Sequence, residues 1–174
     1  IATADGPVTV TAGKIFINTG ATPHIPDIPG IRTTPGVYTS TGLMDIDEIP
    51  QRLVIIGSGF IGLEFASMFA DFGSAVTVLQ HSAEFLPRED ADIATAIREQ
   101  LGAQGVKFLF HAETKEIAPA SAGGVRLSVA VKGSTKATPE KNASANSTTT
   151  PLQETYEADQ LTSAAHPSEA QFCL

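Results

Sequence analysis

Arg52-Leu53-Val54-Ile55-Ile56-Gly57-Ser58-Gly59-Phe60-Ile61-Gly62 is the stretch on which the fold turns. Residues 53–56 form an unbroken apolar run, the pattern of a strand buried on both faces of a parallel sheet. Gly57, Gly59 and Gly62 then follow in G-x-G-x-x-G spacing. Beyond them Ile61, Phe65, Phe69 and the nearby Phe72 recur as the apolar face expected of a helix. In that setting each glycine has a physical task. Gly57 permits a tight turn, Gly59 lets backbone approach a pyrophosphate, and Gly62 lets the helix pack close to the strand. Unpaired N–H groups at the helix start, with the dipole behind them, attract anionic phosphates. Such a turn can also be purely structural, but between a buried strand and a helix it points to a dinucleotide. The candidate cradle is Gly57, Ser58, Gly59, Phe60, Ile61 and Gly62.

Downstream, the same alternation continues. Gly73 is placed to end the helix as a left-handed cap, and residues 75–79 read as a second buried strand. After Pro87, Asp90 and Asp92 put negative charge where a helix dipole favours it. Ile93, Ile97 and Leu101 recur every four residues, Gly105 closes that helix, and residues 106–110 form a third strand. Strand, helix, strand, helix, strand is the doubly wound, Rossmann-like α/β half that binds nucleotides. Residues 113–118 and 125–131 read as a following hairpin or meander. At the end of the second strand, about 20 residues past the turn, NAD enzymes place an acid on the adenosine ribose. Here the position holds Gln80, followed by His81. Gln80 can bond a ribose hydroxyl, and a charged His81 can meet a 2′-phosphate. Both also suit an ordinary exposed strand end, so NADH and NADPH stay open.

The flanks differ in character. Residues 1–50 read as strands and turns, with Val8 and Val10 alternating with Thr9 and Thr11, and a β-rich run Lys14-Ile15-Phe16-Ile17-Asn18. Gly20, Pro23, Pro26, Pro29 and Gly30 then mark an extended linker. Residues 51–161 form the expected nucleotide-binding domain. Its segment of about 133–150 is rich in Ser, Thr, Ala, Asn and Lys, a composition that cannot bury much apolar area and is expected to be mobile. Residues 156–161 look strand-like again, and residues 162–174 are expected to be an aberrant, disordered tail. The chain starts at Ile1 rather than Met, which suggests a fragment.

Composition narrows the function. A chain of 174 residues with 42% hydrophobic content can build one packed domain. Its net charge of −8 argues against nucleic-acid phosphates as partners. With no Trp and two Tyr, it has few stacking platforms for single strands. No run approaches the roughly 20 apolar residues of a membrane span. No basic-then-apolar leader opens the chain, so a soluble, cytoplasmic protein is expected. Cys173 is the single cysteine, and His24, His81, His111 and His166 lack metal-ligand spacing, so no metal site is expected.

Three segments carry a resemblance to the class I pyridine-nucleotide–disulfide oxidoreductases, the family of dihydrolipoamide dehydrogenase, glutathione reductase and mercuric reductase. They are Lys14-Ile15-Phe16-Ile17-Asn18-Thr19-Gly20-Ala21-Thr22-Pro23 with Ile28-Pro29-Gly30, the fingerprint from Arg52 through Gly62 to Leu63-Glu64-Phe65-Ala66, and Phe85-Leu86-Pro87-Arg88-Glu89-Asp90-Ala91-Asp92-Ile93. Residues 14–20, 34–43 and 65–73 look most like the bacterial reactive-chlorine-resistance branch. The resemblance implies FAD and NAD(P)H as cofactors, hydride transfer from NAD(P)H to FAD and onward to a disulfide, metal ion or other acceptor, and a homodimer for the full-length protein. It makes residues 1–50 the end of an FAD-binding domain plus linker, with Thr19 and Gly20 beside FAD or in a plain turn. Glu64 takes the place of a carboxylate that pairs with a flavin-side lysine, although it could simply complement the helix dipole. Phe60 stands where relatives often carry a flavin-covering tyrosine, or is a core aromatic.

The family's upstream FAD fingerprint and cysteine pair have no counterpart here, nor has its second FAD motif or dimerisation domain. The fragment is therefore expected to be inactive alone; the rival reading is a non-catalytic nucleotide-binding module or a truncated pseudogene product. Residues 156–161 resemble the family's Glu-Ala-Asp strand, and the family's next residues, Ile-Gly-Arg-x-Pro, are encodable in a shifted frame across residues 162–167. The tail is accordingly expected to be read out of frame.

Overall fold

The computed structural model describes residues 1–121, 123–132, 152–158 and 160–163. Within them, the strand–helix alternation expected from the sequence forms as β4 (Arg52–Ile56), α2 (Phe60–Asp71), β5 (Ala75–Leu79), α3 (Ala91–Ala103) and β6 (Lys107–Leu109). Strands β4, β5 and β6 lie side by side in sequence order and pair in parallel. The fold is the expected Rossmann-like α/β arrangement.

Each helix stops for a local reason. Phe72 caps α2, and Gly73 follows at φ +93°, where a Cβ would be strained. The Ser74 N–H then bonds the Phe69 carbonyl at 2.9 Å and the Gly73 N–H bonds Ala70 at 3.0 Å, the paired bonds of a Schellman ending. Gly105, at φ +91°, ends α3 in the same way, with Val106 bonding Leu101 and Gly105 bonding Gly102.

The sheet has two more strands, and one of them comes from the expected linker. Ahead of β4, β3 (Val37–Thr39) leads into the one-turn helix α1 (Ser40–Leu43). At the other end of the described chain, β9 (Leu152–Ala158) and β10 (Gln160–Ser163) follow β7 (Ala112–Pro119) and β8 (Val125–Val131). The five-stranded order is β3-β10-β4-β5-β6, all parallel. Strands β7, β8 and β9 form an antiparallel meander. Alternate side chains of β4 and β5 therefore enter two cores. Leu53, Ile55, Val76 and Val78 meet Leu63, Phe65, Ala66, Phe69 and Leu101 of the helices. Val54 and Leu79 meet Ile117, Val125, Leu127, Val129 and Leu161 on the meander side. Burying a residue such as Ile55 completely contributes about 1.5–3 kcal/mol.

Several local expectations change. Residues 14–18 form no strand, and Ile15, Phe16 and Ile17 are each at least 75% exposed. A β-rich run needs a neighbouring strand for its backbone and an apolar face for its side chains, and no described strand pairs with it. The nearby ribbon instead pairs β1 (Ala2–Thr3) with β2 (Gly6–Pro7), leaving Val8 and Val10 exposed. On α2, Ile61 and Phe72 are exposed, and Leu63 and Ala66 complete the buried face with Phe65 and Phe69. On α3, Ile93 is exposed and Ala94 is buried in its place.

The boundary drawn at residue 50 is crossed by packing. Leu43 is buried with the helix-side core, and Ile31 with the meander-side core. Gly30 explains the second contact: at φ +85° it lies so close to β7 that an added Cβ would sit 1.8 Å from the Ile117 carbonyl oxygen. The Ile117 N–H also bonds the Pro29 carbonyl at 2.9 Å. The strand expected over 156–161 is two strands in two sheets, because Ala158 packs with the meander and Leu161 with the parallel sheet. Thr162 and Ser163, assigned to the tail from sequence, continue β10 beside Ile55 and Ile56. The segment 133–150 and the tail beyond 163 lie outside the described residues.

Candidate functional site

The glycine turn lies between the end of β4 and the start of α2. Gly57 has φ +100°, and its N–H bonds the Leu79 carbonyl at 2.8 Å, tying the turn to the neighbouring strand. Gly59 is the N-cap of α2 and, having no side chain, supplies no capping bond. The first helical bond runs from the Leu63 N–H to the Gly59 carbonyl at 3.0 Å. The N–H groups of Phe60, Ile61 and Gly62 precede that ladder and have no intrahelical acceptor. With no side-chain cap bond from Gly59, they offer a row of donors suited to pyrophosphate oxygens, and the helix dipole adds partial positive charge. Gly62 is buried in the first turn of α2.

Ser58 is buried, and its N–H bonds the Gln80 Oε1 at 3.2 Å. The structure thus brings the glycine turn and the end of the second strand together. Gln80 is held from every side. Its Nε2 donates to Ser82 Oγ at 2.7 Å and to the Glu84 carbonyl at 3.3 Å. The Ser82 hydroxyl itself donates to that carbonyl at 3.1 Å. The backbone is braced too: Gln80 N–H bonds Leu109, its carbonyl accepts from Ala112, and the Ser82 carbonyl accepts from His111. His111 makes that last bond from a left-handed conformation at φ +53°. Ser82 was not singled out in the sequence; the pattern Gln-x-Ser at a strand end was the available signal.

His81 is exposed next to Gln80. Close by, the Glu113 carboxyl is held below the usual carboxylate range. A hydrogen bond from Lys115 is the main cause, opposed by some desolvation and aided by the charges of Lys115, Lys132 and His81. Lys115 and Glu113 form an ion pair there.

Phe60 is half exposed rather than a core aromatic. It shares with the exposed Glu64 a groove of about 550 Å³ between α2 and α3, whose lining includes Ser67, Ile97, Gln100 and Gln104. Ser67 and Asp71 both bond the Gln104 side chain, which ties the two helices together along this groove. Thr19 and Gly20 are exposed in an irregular stretch well before β3, and no described contact joins them to the glycine turn. Gly20 has φ +80° with open space around it, the geometry of a turn. No helix among the described residues is long and apolar enough to cross a membrane.

Residues 2–161 match the family model described as pyridine nucleotide-disulphide oxidoreductase. Over 113 residues the chain is 54% identical to the probable pyridine nucleotide-disulfide oxidoreductase RclA of Escherichia coli K12, covering 65% of this chain and 26% of that protein. Mercuric reductase of Staphylococcus aureus is 39% identical over 100 residues, which is 58% of this chain and 18% of the reductase. Among solved structures, the Cu(II) complex of the HOCl-induced flavoprotein disulfide reductase RclA from Escherichia coli superposes with a TM-score of 0.67 at 42% identity, covering 92% of this chain and 32% of that one. The chain thus spans about a quarter or less of the curated relatives it matches.

Proposed function

Because the chain belongs to the pyridine nucleotide-disulphide oxidoreductase family, we propose that it forms the NAD(P)H-binding segment of an FAD-dependent oxidoreductase. In the intact protein hydride would pass from NAD(P)H to FAD and then to a disulfide, a metal ion or another acceptor. A full-length homodimer in the cytoplasm is the expected setting. The observation that carries this reading is the glycine-capped start of α2. There the N–H groups of Phe60, Ile61 and Gly62 precede the helical ladder, and the N-cap glycine supplies no side-chain capping bond.

The residues present fit the cofactors. Gly57, Ser58, Gly59 and the first turn of α2 would hold the pyrophosphate. Gln80 and His81 would meet the adenosine ribose. Phe60 and Glu64, together on one groove, would face the flavin: the ring stacks there without a hydroxyl, and the carboxylate places negative charge beside the site. Thr19 and Gly20 would lie along bound FAD. FAD supplies hydride acceptance and onward electron transfer; the protein sets distance and orientation. The relative solved as a Cu(II) complex and the mercuric reductases make a metal ion one acceptor class to examine.

Calorimetry with NADH and NADPH on the chain and its Gly59→Val variant tests the reading. The chain should bind weakly, and the variant should lose binding because the valine side chain blocks backbone approach to the pyrophosphate. Equal affinities in the two proteins would end the proposal.

A further inference from the structure

The Gln80 carboxamide is locked in one orientation, and the orientation is set by chemistry rather than by convention. A backbone N–H only donates and a backbone carbonyl only accepts. The atom facing the Ser58 N–H at 3.2 Å must therefore be the amide oxygen. The atom facing the Glu84 carbonyl at 3.3 Å must be the amide nitrogen. Ser82 Oγ accepts from the other amide hydrogen at 2.7 Å, and its own O–H donates to the Glu84 carbonyl at 3.1 Å. Both amide hydrogens are thereby spent, and one lone pair of the amide oxygen is left. The backbone bonds from Leu109, His111 and Ala112 keep residues 80 and 82 from drifting.

We infer that Ser82 is a positioning residue for cofactor choice: the Ser58 N–H and the Glu84 carbonyl orient the Gln80 carboxamide as an acceptor at the glycine turn, and Ser82 takes up its remaining hydrogen, so that the site selects NADH over NADPH. The inference rests on the dinucleotide reading above. A ribose 2′-hydroxyl donates to the remaining lone pair, as it would to the carboxylate found in NAD enzymes. A 2′-phosphate brings only acceptor oxygens and meets an oxygen with no hydrogen to offer. A site shaped around one hydrogen-bond partner rejects a ligand that leaves its polar groups unpaired. Removing the Ser82 hydroxyl frees one amide hydrogen while the Ser58 and Glu84 bonds keep the carboxamide's orientation, and that free hydrogen gives a phosphate something to accept from.

Calorimetric titration of the chain with NADH and, separately, NADPH measures the preference. NADH should bind at least about tenfold more tightly. Ser82→Ala should bring the two affinities to within roughly threefold of each other, chiefly by strengthening NADPH binding, and Ser82→Thr should restore the preference. A purely structural role for Ser82 would weaken both cofactors together and leave their ratio unchanged, which would overturn the inference. So would equal or tighter NADPH binding by the unaltered chain, a result that would hand the discrimination to His81 and the neighbouring lysines. Either of those results leaves the glycine-turn reading standing. Failure to bind either cofactor would overturn both.

Discussion

Gln80 shows how one side chain can carry two tasks. Its oxygen ties the second strand to the glycine turn through Ser58, and on the proposed dinucleotide reading the same oxygen would accept from a ribose hydroxyl. Gln80→Glu would keep an acceptor at Ser58, lose the bond to the Glu84 carbonyl, and add a charge that repels a 2′-phosphate. The NADH-to-NADPH affinity ratio should rise by roughly tenfold, read by competition binding; an unchanged ratio would mean that residue 80 does not face the ribose. Gly30 is a second residue whose identity is dictated by position. Alanine there would need both a strained φ and the retreat of the Ile117 carbonyl, so Gly30→Ala should cost about 3 kcal/mol or more in urea unfolding. Glu113 makes the opposite case. Its lowered pKa means that any stabilisation is present above the ordinary carboxylate value and fades as pH falls through the lowered one. The Glu113 and Lys115 side chains are partly exposed, so solvent screens the pair. Glu113→Gln should leave the melting temperature unchanged.

At the scale of elements, α2 divides the phenylalanines that periodicity had grouped. Phe69 is 3% exposed and touches both Phe65 and Phe72, whereas Phe72 is 53% exposed. Phe69→Ala should destabilise by about 3–5 kcal/mol and Phe72→Ala by about 1 kcal/mol or less. Similar costs for the two in chemical denaturation would contradict the burial. The reason lies in helix geometry: a three-to-four spacing names a stripe, but its edge is set by how the helix rotates on the sheet. Gly62 and Ala66 let α2 sit close to β4, which turns Leu63 inward and leaves Ile61 outward. Likewise the cap glycines Gly73 and Gly105 were legible because a left-handed ending has few alternatives. The role of β3 was not, since three residues of middling hydrophobicity carry no signal of their own.

At the scale of the whole molecule, the apolar run Ile15-Phe16-Ile17 is the most exposed such run among the described residues. A patch of this kind marks a contact surface or an aggregation liability. Changing Phe16→Ser and Ile17→Thr together should raise the soluble concentration of the chain with no loss of thermal stability, read by light scattering and calorimetry. A large fall in melting temperature would show that the run packs against the core after all. Purified alone, the chain should hold no stoichiometric FAD and oxidise no NADH, as befits about a quarter of its relatives' length; a yellow preparation that consumes NADH would refute the fragment reading. By itself the sequence determined the alternation of β4, α2, β5, α3 and β6 and the place of the glycine turn. Those signals are local: apolar runs, a glycine spacing, and caps that only certain residues can form. The tertiary structure alone decided that β3 and β10 complete the sheet, that Gly30 docks on Ile117, and that Ser58, Ser82 and Glu84 together hold the Gln80 amide. These depend on contacts between residues distant in the chain or on the facing of one side chain, which no periodicity encodes.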